Sequence, residues 1–265
     1  MKETVFDQMP LWLLFVGTAV LLFGGSQAGF RLGAWQRARR SEDDKAPTNA
    51  IMGSTLGLLA FMLAFTFGMS SSRFDTRRQL VLDEASAILR AYQRVQFLPD
   101  SQRIECSRLL REYVEIRIGI PELRSMADIQ QAVEESESIQ DELWVQAVML
   151  ADGSSTMLRG FTQSLSELTD LQMKRVRAGI WNRIPTTIVV MLYCLAFFGL
   201  MTMGYGAGLA GSRPAVPSVV LFLAFAAIIV LMVDLERPRQ KLFQVSQEPM
   251  TAVARRMQVS LPAGD

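Results

Sequence analysis

Four stretches of the chain carry no charged residue: Gln8 to Phe30, Ala46 to Ser72, Ile184 to Ser212 and Pro214 to Val233, which are 23, 27, 29 and 20 residues long. Each holds the roughly 20 apolar residues that a helix needs to cross a bilayer core. The pattern predicts four transmembrane helices: TM1 over residues 9–30, TM2 over 50–72, TM3 over 184–206 and TM4 over 215–234. A polar loop at 31–49 joins the first two, a short loop at 207–214 joins the last two, and residues 235–265 form a tail. The segment before TM1 has two acids beside its single lysine, and no small-residue cleavage site follows the apolar core. TM1 therefore reads as a retained helix, not a cleaved signal.

Between TM2 and TM3 the pattern changes. Residues 73–183 hold 15 Lys+Arg and 17 Asp+Glu, and their apolar positions recur every three to four residues. Phe74, Val81, Ala85, Ile88, Tyr92 and Val95 form one such stripe; Met126, Ile129, Val133, Leu143, Ala147 and Leu150 form another. Leu158, Phe161, Leu165 and Leu168 continue the pattern, and each stripe fits one face of a helix. Pro99-Asp100-Ser101 predicts the end of one helix and the cap of the next, Pro121 the first turn of a third, and Asp152-Gly153-Ser154 a break before a fourth. The insert is thus expected to be about four helices, and the whole chain an all-α integral membrane protein.

Composition narrows the chemistry. There is no histidine, so no Ser-His-Asp or Cys-His nucleophile system and no His-ligated metal site can be built. The two cysteines, Cys106 and Cys194, fall in a polar segment and an apolar span and read as packed thiols. No enzyme, no cofactor and no metal is expected. A net charge of +1 argues against a nucleic-acid partner, and a mean hydropathy of +0.21 agrees with a bilayer partner.

Basic residues near the membrane ends set the expected orientation. Twelve lie beside the N-terminus, the two flanks of the insert and the tail, against 6 on the two opposite loops. The excess places both termini and the insert in the cytoplasm, in a cell inner membrane. Glycines shape two further expectations. Gly53, Gly57 and Gly68 predict that TM2 packs closely against protein, and Gly204, Gly206, Gly208 and Gly211 predict a flexible turn between TM3 and TM4. Gly204-Tyr205-Gly206 echoes a potassium filter but has no room for a re-entrant half-helix, and a phosphate loop would need a preceding strand and a Lys-Ser/Thr pair.

On TM2, Phe61, Phe65 and Met69 share a helix face with Gly57. In an assembly with this face inward, the rings form an apolar neck able to gate ions by dewetting; the other reading is packing against lipid or a neighbouring helix. Arg73, Asp75, Arg77 and Arg78 at the TM2 exit line a vestibule or snorkel to headgroups. Asp234, at the end of TM4, pairs with an arginine of that exit or marks the interface.

Three segments carry a family resemblance: FTFGMSSSRFDTRRQLVLDEASAI, the span from RIP to MGYGAGLAG, and DLERPRQKLFQVSQEP. Together they resemble the bacterial bestrophin-like domain family, four-span membrane proteins distantly similar to bestrophin anion channels. Arg73-Phe74 with Arg78 keeps the bestrophin spacing after the pore helix, and Phe65 falls where the last neck phenylalanine would. Thr66 stands where an arginine follows that ring, and no tryptophan lies near Arg73. The resemblance implies a homo-oligomer, a pentamer as in bestrophins, passing small inorganic ions, anions or monovalent cations. The alternative is a non-conducting, membrane-anchored assembly protein whose insert binds another protein.

Overall fold

The computed structural model describes residues 9–39, 48–123, 125–150, 156–181, 185–211, 215–236 and 245–259. Among these the α-helices are α1 (Leu11–Arg37), α2 (Thr48–Val95), α3 (Asp100–Gly119), α4 (Met126–Met149), α5 (Thr156–Val176), α6 (Thr186–Ala210), α7 (Ala215–Glu236) and α8 (Glu248–Val259). No strand occurs among the described residues. Four helices, α1, α2, α6 and α7, are long and apolar enough to cross a membrane. The chain divides into two compact units, one of residues 1–74 with 183–244, the other of residues 75–182 with 245–265.

The first unit contains the apolar helices. α1 and α6 lie so close that backbone meets backbone. A β-carbon on Gly29 or Gly33 would overlap the carbonyl of Met201 or Tyr205, and one on Gly25 would stand 2.9 Å from the Phe197 carbonyl oxygen. From the other side, Gly204 faces the Ser26 carbonyl and Gly208 that of Phe30. Without water there is no hydrophobic drive between membrane helices, so small residues that allow close van der Waals packing hold them together. The partners ascend together along both helices, which makes α1 and α6 parallel. Thr18 Oγ1 and Tyr193 Oη, 2.9 Å apart, add a hydrogen bond across the same contact. α7 packs on α1 through the edge-on rings of Phe222 and Phe23, 6.2 Å between centroids.

The glycine run read as a flexible turn is thus helical. α6 continues through Ala210, past the expected loop start, and Gly204 and Gly208 serve close approach. Only Gly211 uses glycine's freedom: it ends α6 at φ 70, a left-handed cap. Gly29→Val is expected to prevent the α1–α6 contact, since no rotamer change moves the Met201 backbone; overpacking of this kind costs ~1–3 kcal/mol or more. Thermal unfolding in detergent should show the loss, and Gly24→Val, at an open position, should not.

The second unit is built from the part of α2 after Phe74 together with α3, α4, α5 and α8. Its core gathers Val81, Ala85, Ile88, Tyr92 and Val95 of α2, Leu109, Leu110 and Tyr113 of α3, Leu143 and Ala147 of α4, and Phe161, Leu165 and Leu168 of α5. These are largely the stripes read from periodicity. Two boundaries differ. Pro121 sits in a 3-10 turn, Ile120–Glu122, and α4 starts at Met126, where Ser125 Oγ accepts from the Ala127 N–H. The tail at 235–265 contains α8, whose Met250, Val253 and Met257 are buried in this core and whose Met257 carbonyl accepts from Tyr92 Oη at 3.3 Å. The predicted break at Asp152-Gly153-Ser154 lies outside the described residues.

Candidate functional site

α2 runs from Thr48 to Val95 without a proline, and its hydroxyls do not break it. Ser54, Thr55 and Thr66 donate to the carbonyls of Ala50, Ile51 and Met62, four residues back, which satisfies each hydroxyl inside an apolar run. The helix is two-faced. Leu59, Leu63, Thr66 and Ser70 are buried, with Leu59 Cδ2 3.5 Å from the place of a β-carbon on Gly199. On the other face Phe61 is 63% and Phe65 58% exposed, and a β-carbon at Gly53, Gly57 or Gly68 would meet nothing within 4 Å. Among the described residues, the α2 glycines meet nothing outside their own helix.

Ala64, Phe65, Gly68, Met69, Ser72 and Arg73 lie side by side on this open, shallow face. The structure therefore brings Phe65, Met69 and Arg73 to one surface, with Phe61 one turn away on the same exposed side. Asp75, Arg77 and Arg78 belong to the second unit, where Asp75 and Arg78 are exposed and Arg77 half-buried. Asp234, in α7, is fully buried and has an interaction partner.

Sequence reading missed the polar centre of the second unit. Glu84 is fully buried and accepts from Arg117 Nε at 2.8 Å and Nη2 at 3.3 Å, from Arg175 Nη1 at 2.5 Å, and from Tyr113 Oη at 2.7 Å. Arg175 Nη2 also donates to Gln247 Oε1 at 2.9 Å, and Gln140 Nε2 to Gln172 Oε1. One carboxylate thereby joins α2, α3 and α5 and, through Arg175, the segment before α8. Burial alone would raise the Glu84 pKa, but the guanidiniums of Arg117 and Arg175 outweigh it and hold the carboxyl below its ordinary value. Burial, then the Glu84 charge, pushes the Tyr113 phenol well up, so it stays a donor. The signal was present: Glu84 lies three residues after Val81 and four before Ile88, an acid on an apolar stripe.

Among the described residues no group of three His, Cys, Asp or Glu side chains could hold a metal. Cys106 is buried, and burial with the nearby Glu105 charge pushes its thiol up to about 12. It is expected to stay unmodified by maleimide at pH 7.5 in the folded protein and to react only after denaturation.

The bestrophin-like domain family matches residues 11–250, most of the chain. The chain belongs to this family. The bestrophin-like chain also shares its fold with solved structures. A crystal structure of a bacterial bestrophin homologue from Klebsiella pneumoniae, a point variant, matches with TM-score 0.68 at 15% identity over 95% of this chain and 97% of that one. A second variant of the Klebsiella pneumoniae homologue gives 0.67 at 14% identity, over 92% and 96%. A crystal structure described as a membrane protein gives 0.66 at 13%, over 94% and 96%. No curated protein matches the sequence. With its four apolar helices, the bestrophin-like chain is a multi-pass membrane protein.

Proposed function

We propose that the protein is a homo-oligomeric ion channel whose pore is lined by the Phe61, Phe65 and Met69 face of α2. The observation that carries this reading is the asymmetry of α2: one face packed, the other bearing large exposed rings and bare glycines and continuing to Arg73. Four helices in one chain cannot enclose a water path with a single α2 face, whereas copies around an axis can. Family membership and the likeness to bacterial bestrophin homologues support the same reading, with a pentamer as the expected ring. Phe61 and Phe65 then form an apolar neck that gates by dewetting, and Arg73, Asp75, Arg77 and Arg78 line the exit for small inorganic ions.

The proposed membrane arrangement is cytoplasmic termini and a cytoplasmic insert in the inner membrane. The parallel run of α1 and α6 supports one part of it, an insert on the side from which α1 starts, because α2 must then return to that side. Reporter fusions after Lys45, Pro121 and Pro249 test this; cytoplasmic activity at Pro121 and Pro249 with periplasmic activity at Lys45 is expected.

Pore lining is tested by thiol access in a Cys194→Ser background. Phe61→Cys and Phe65→Cys should react with a water-soluble thiol reagent in the reconstituted oligomer, while Leu59→Cys and Leu63→Cys should not. Equal reactivity of the two faces would overturn the assignment. The rival reading, a non-conducting assembly protein, has one observation in its favour. Arg108 of α3 lies 4.0 Å from Glu142 of α4. That register sets exposed Ile104 beside exposed Val145, Val148 and Met149, an apolar surface suited to another protein.

A further inference from the structure

α4 turns one kind of face to the core and another outward. Between Met126 and Met149 it carries six acids, Asp128, Glu134, Glu135, Glu137, Asp141 and Glu142, and neither lysine nor arginine. All six are exposed, and among the described residues the one ion pair that meets them joins Glu142 to Arg108. Glu134, Ser138, Asp141, Val145 and Val148 follow one another at alternating steps of four and three, the spacing of a helix seam, and all are exposed. The seam is acidic at its start and apolar at its end, where Val148 is 68% exposed. α8 offers the opposite. α3 packs against both α4 and α8, which make no comparable contact with each other. On α8, Ala252, Arg255 and Arg256 share the solvent side, opposite the buried Met250, Val253 and Met257.

We infer that the outer face of α4 docks on α8 of a second copy of this chain. The inference rests on the homo-oligomer of the proposed function and names one contact between its copies. Two α4 faces do not suit each other, since carboxylates would stand against carboxylates. A ring is built from unlike faces, one patch of each copy meeting a different patch of the next. An acidic seam on one helix and adjacent arginines on another satisfy that condition. With the two helices antiparallel, Val145 and Val148 cover the small Ala252 while Asp141 and Glu134 reach toward Arg255 and Arg256, whose guanidiniums match carboxylates as forked donors. The apolar end, which the rival reading gives to a foreign protein, is here taken by the next copy.

Charge reversal in the full chain tests the contact, read as the protein concentration at which half of the chains are assembled by native mass in mild detergent. Glu134→Arg with Asp141→Arg should raise that concentration about tenfold or more, and so should Arg255→Glu with Arg256→Glu, because each pair sets like charges against each other. All four substitutions together restore opposite charges and should return it to within about threefold of the parent. That recovery separates the contact from misfolding, since a chain that had lost its fold would not regain assembly by further reversal. The neutral pair Glu134→Gln with Asp141→Asn should raise it by about threefold, the order expected of solvent-screened pairs. No change in either reversed pair, or no recovery in the fourfold variant, would overturn the inference. Reversed chains that assemble and conduct as the parent does would leave the channel reading in place and α4 to a foreign partner or to solvent. A parent that is monomeric by native mass would remove the channel reading itself, and this contact with it.

Discussion

Alanine at both Phe61 and Phe65 is expected to raise ion flux through the reconstituted oligomer several-fold. An apolar constriction excludes water when it is both narrow and non-polar, and exchange of two rings for methyl groups in every subunit removes the first condition. Both rings are largely exposed within the chain, so their loss costs the single subunit little of its own packing. The matched control is Phe198→Ala, which removes an exposed ring from α6, outside the proposed neck. Phe197 is unsuitable, because its ring packs on Gly25 in the α1–α6 contact. A double variant that assembles as the parent does, with flux no different from that of the Phe198 variant, would remove the neck from the account.

The second large effect is expected at Glu84. Glu84→Gln leaves Arg117 and Arg175 facing each other without a counter-charge in a buried position. Loss of one partner from a buried ion pair costs ~3–5 kcal/mol. For a domain of this size that corresponds to a fall of roughly 10 °C or more in the unfolding midpoint. The acid dependence follows from the lowered carboxyl pKa. Ionised Glu84 stabilises the fold fully above its ordinary value, and this contribution is lost as pH falls through the lower folded value. Thermal unfolding followed by circular dichroism between pH 7 and pH 3 should therefore show a steeper acid loss in the parent than in Glu84→Gln. Equal slopes would mean that Glu84 is not a major source of acid sensitivity.

Much of the architecture is legible in the sequence because apolar periodicity survives without knowledge of the neighbours. Each of the four charge-free runs overlaps one of the long apolar helices, and Val81 through Val95 and Phe161 through Leu168 are the buried faces of theirs. What periodicity does not show is which small residues meet. Gly57 and Gly68 look as suited to close packing as Gly29 and Gly204, yet only the latter pair faces a backbone. Spacing held the clue: Gly25, Gly29 and Gly33 recur every four residues on one side of α1, matching Gly204 and Gly208 of α6. The docking of α8 within the tail was not legible for another reason. Met250, Val253 and Met257 make a short stripe whose burial depends on a core assembled from distant segments, so local pattern alone could not distinguish a docked helix from a solvated one. The α2 face shows the same limit in reverse, since under the proposed function Phe61 and Phe65 would gain a role only from copies of the chain around them.

The account stands most directly on ion flux through the purified, unmodified protein. Reconstituted in liposomes as an oligomer of defined native mass, it should carry a chloride or potassium flux well above that of protein-free vesicles. An assembled ring that passes neither ion, with the native mass unchanged after reconstitution, would contradict the channel reading and leave the non-conducting assembly protein in its place.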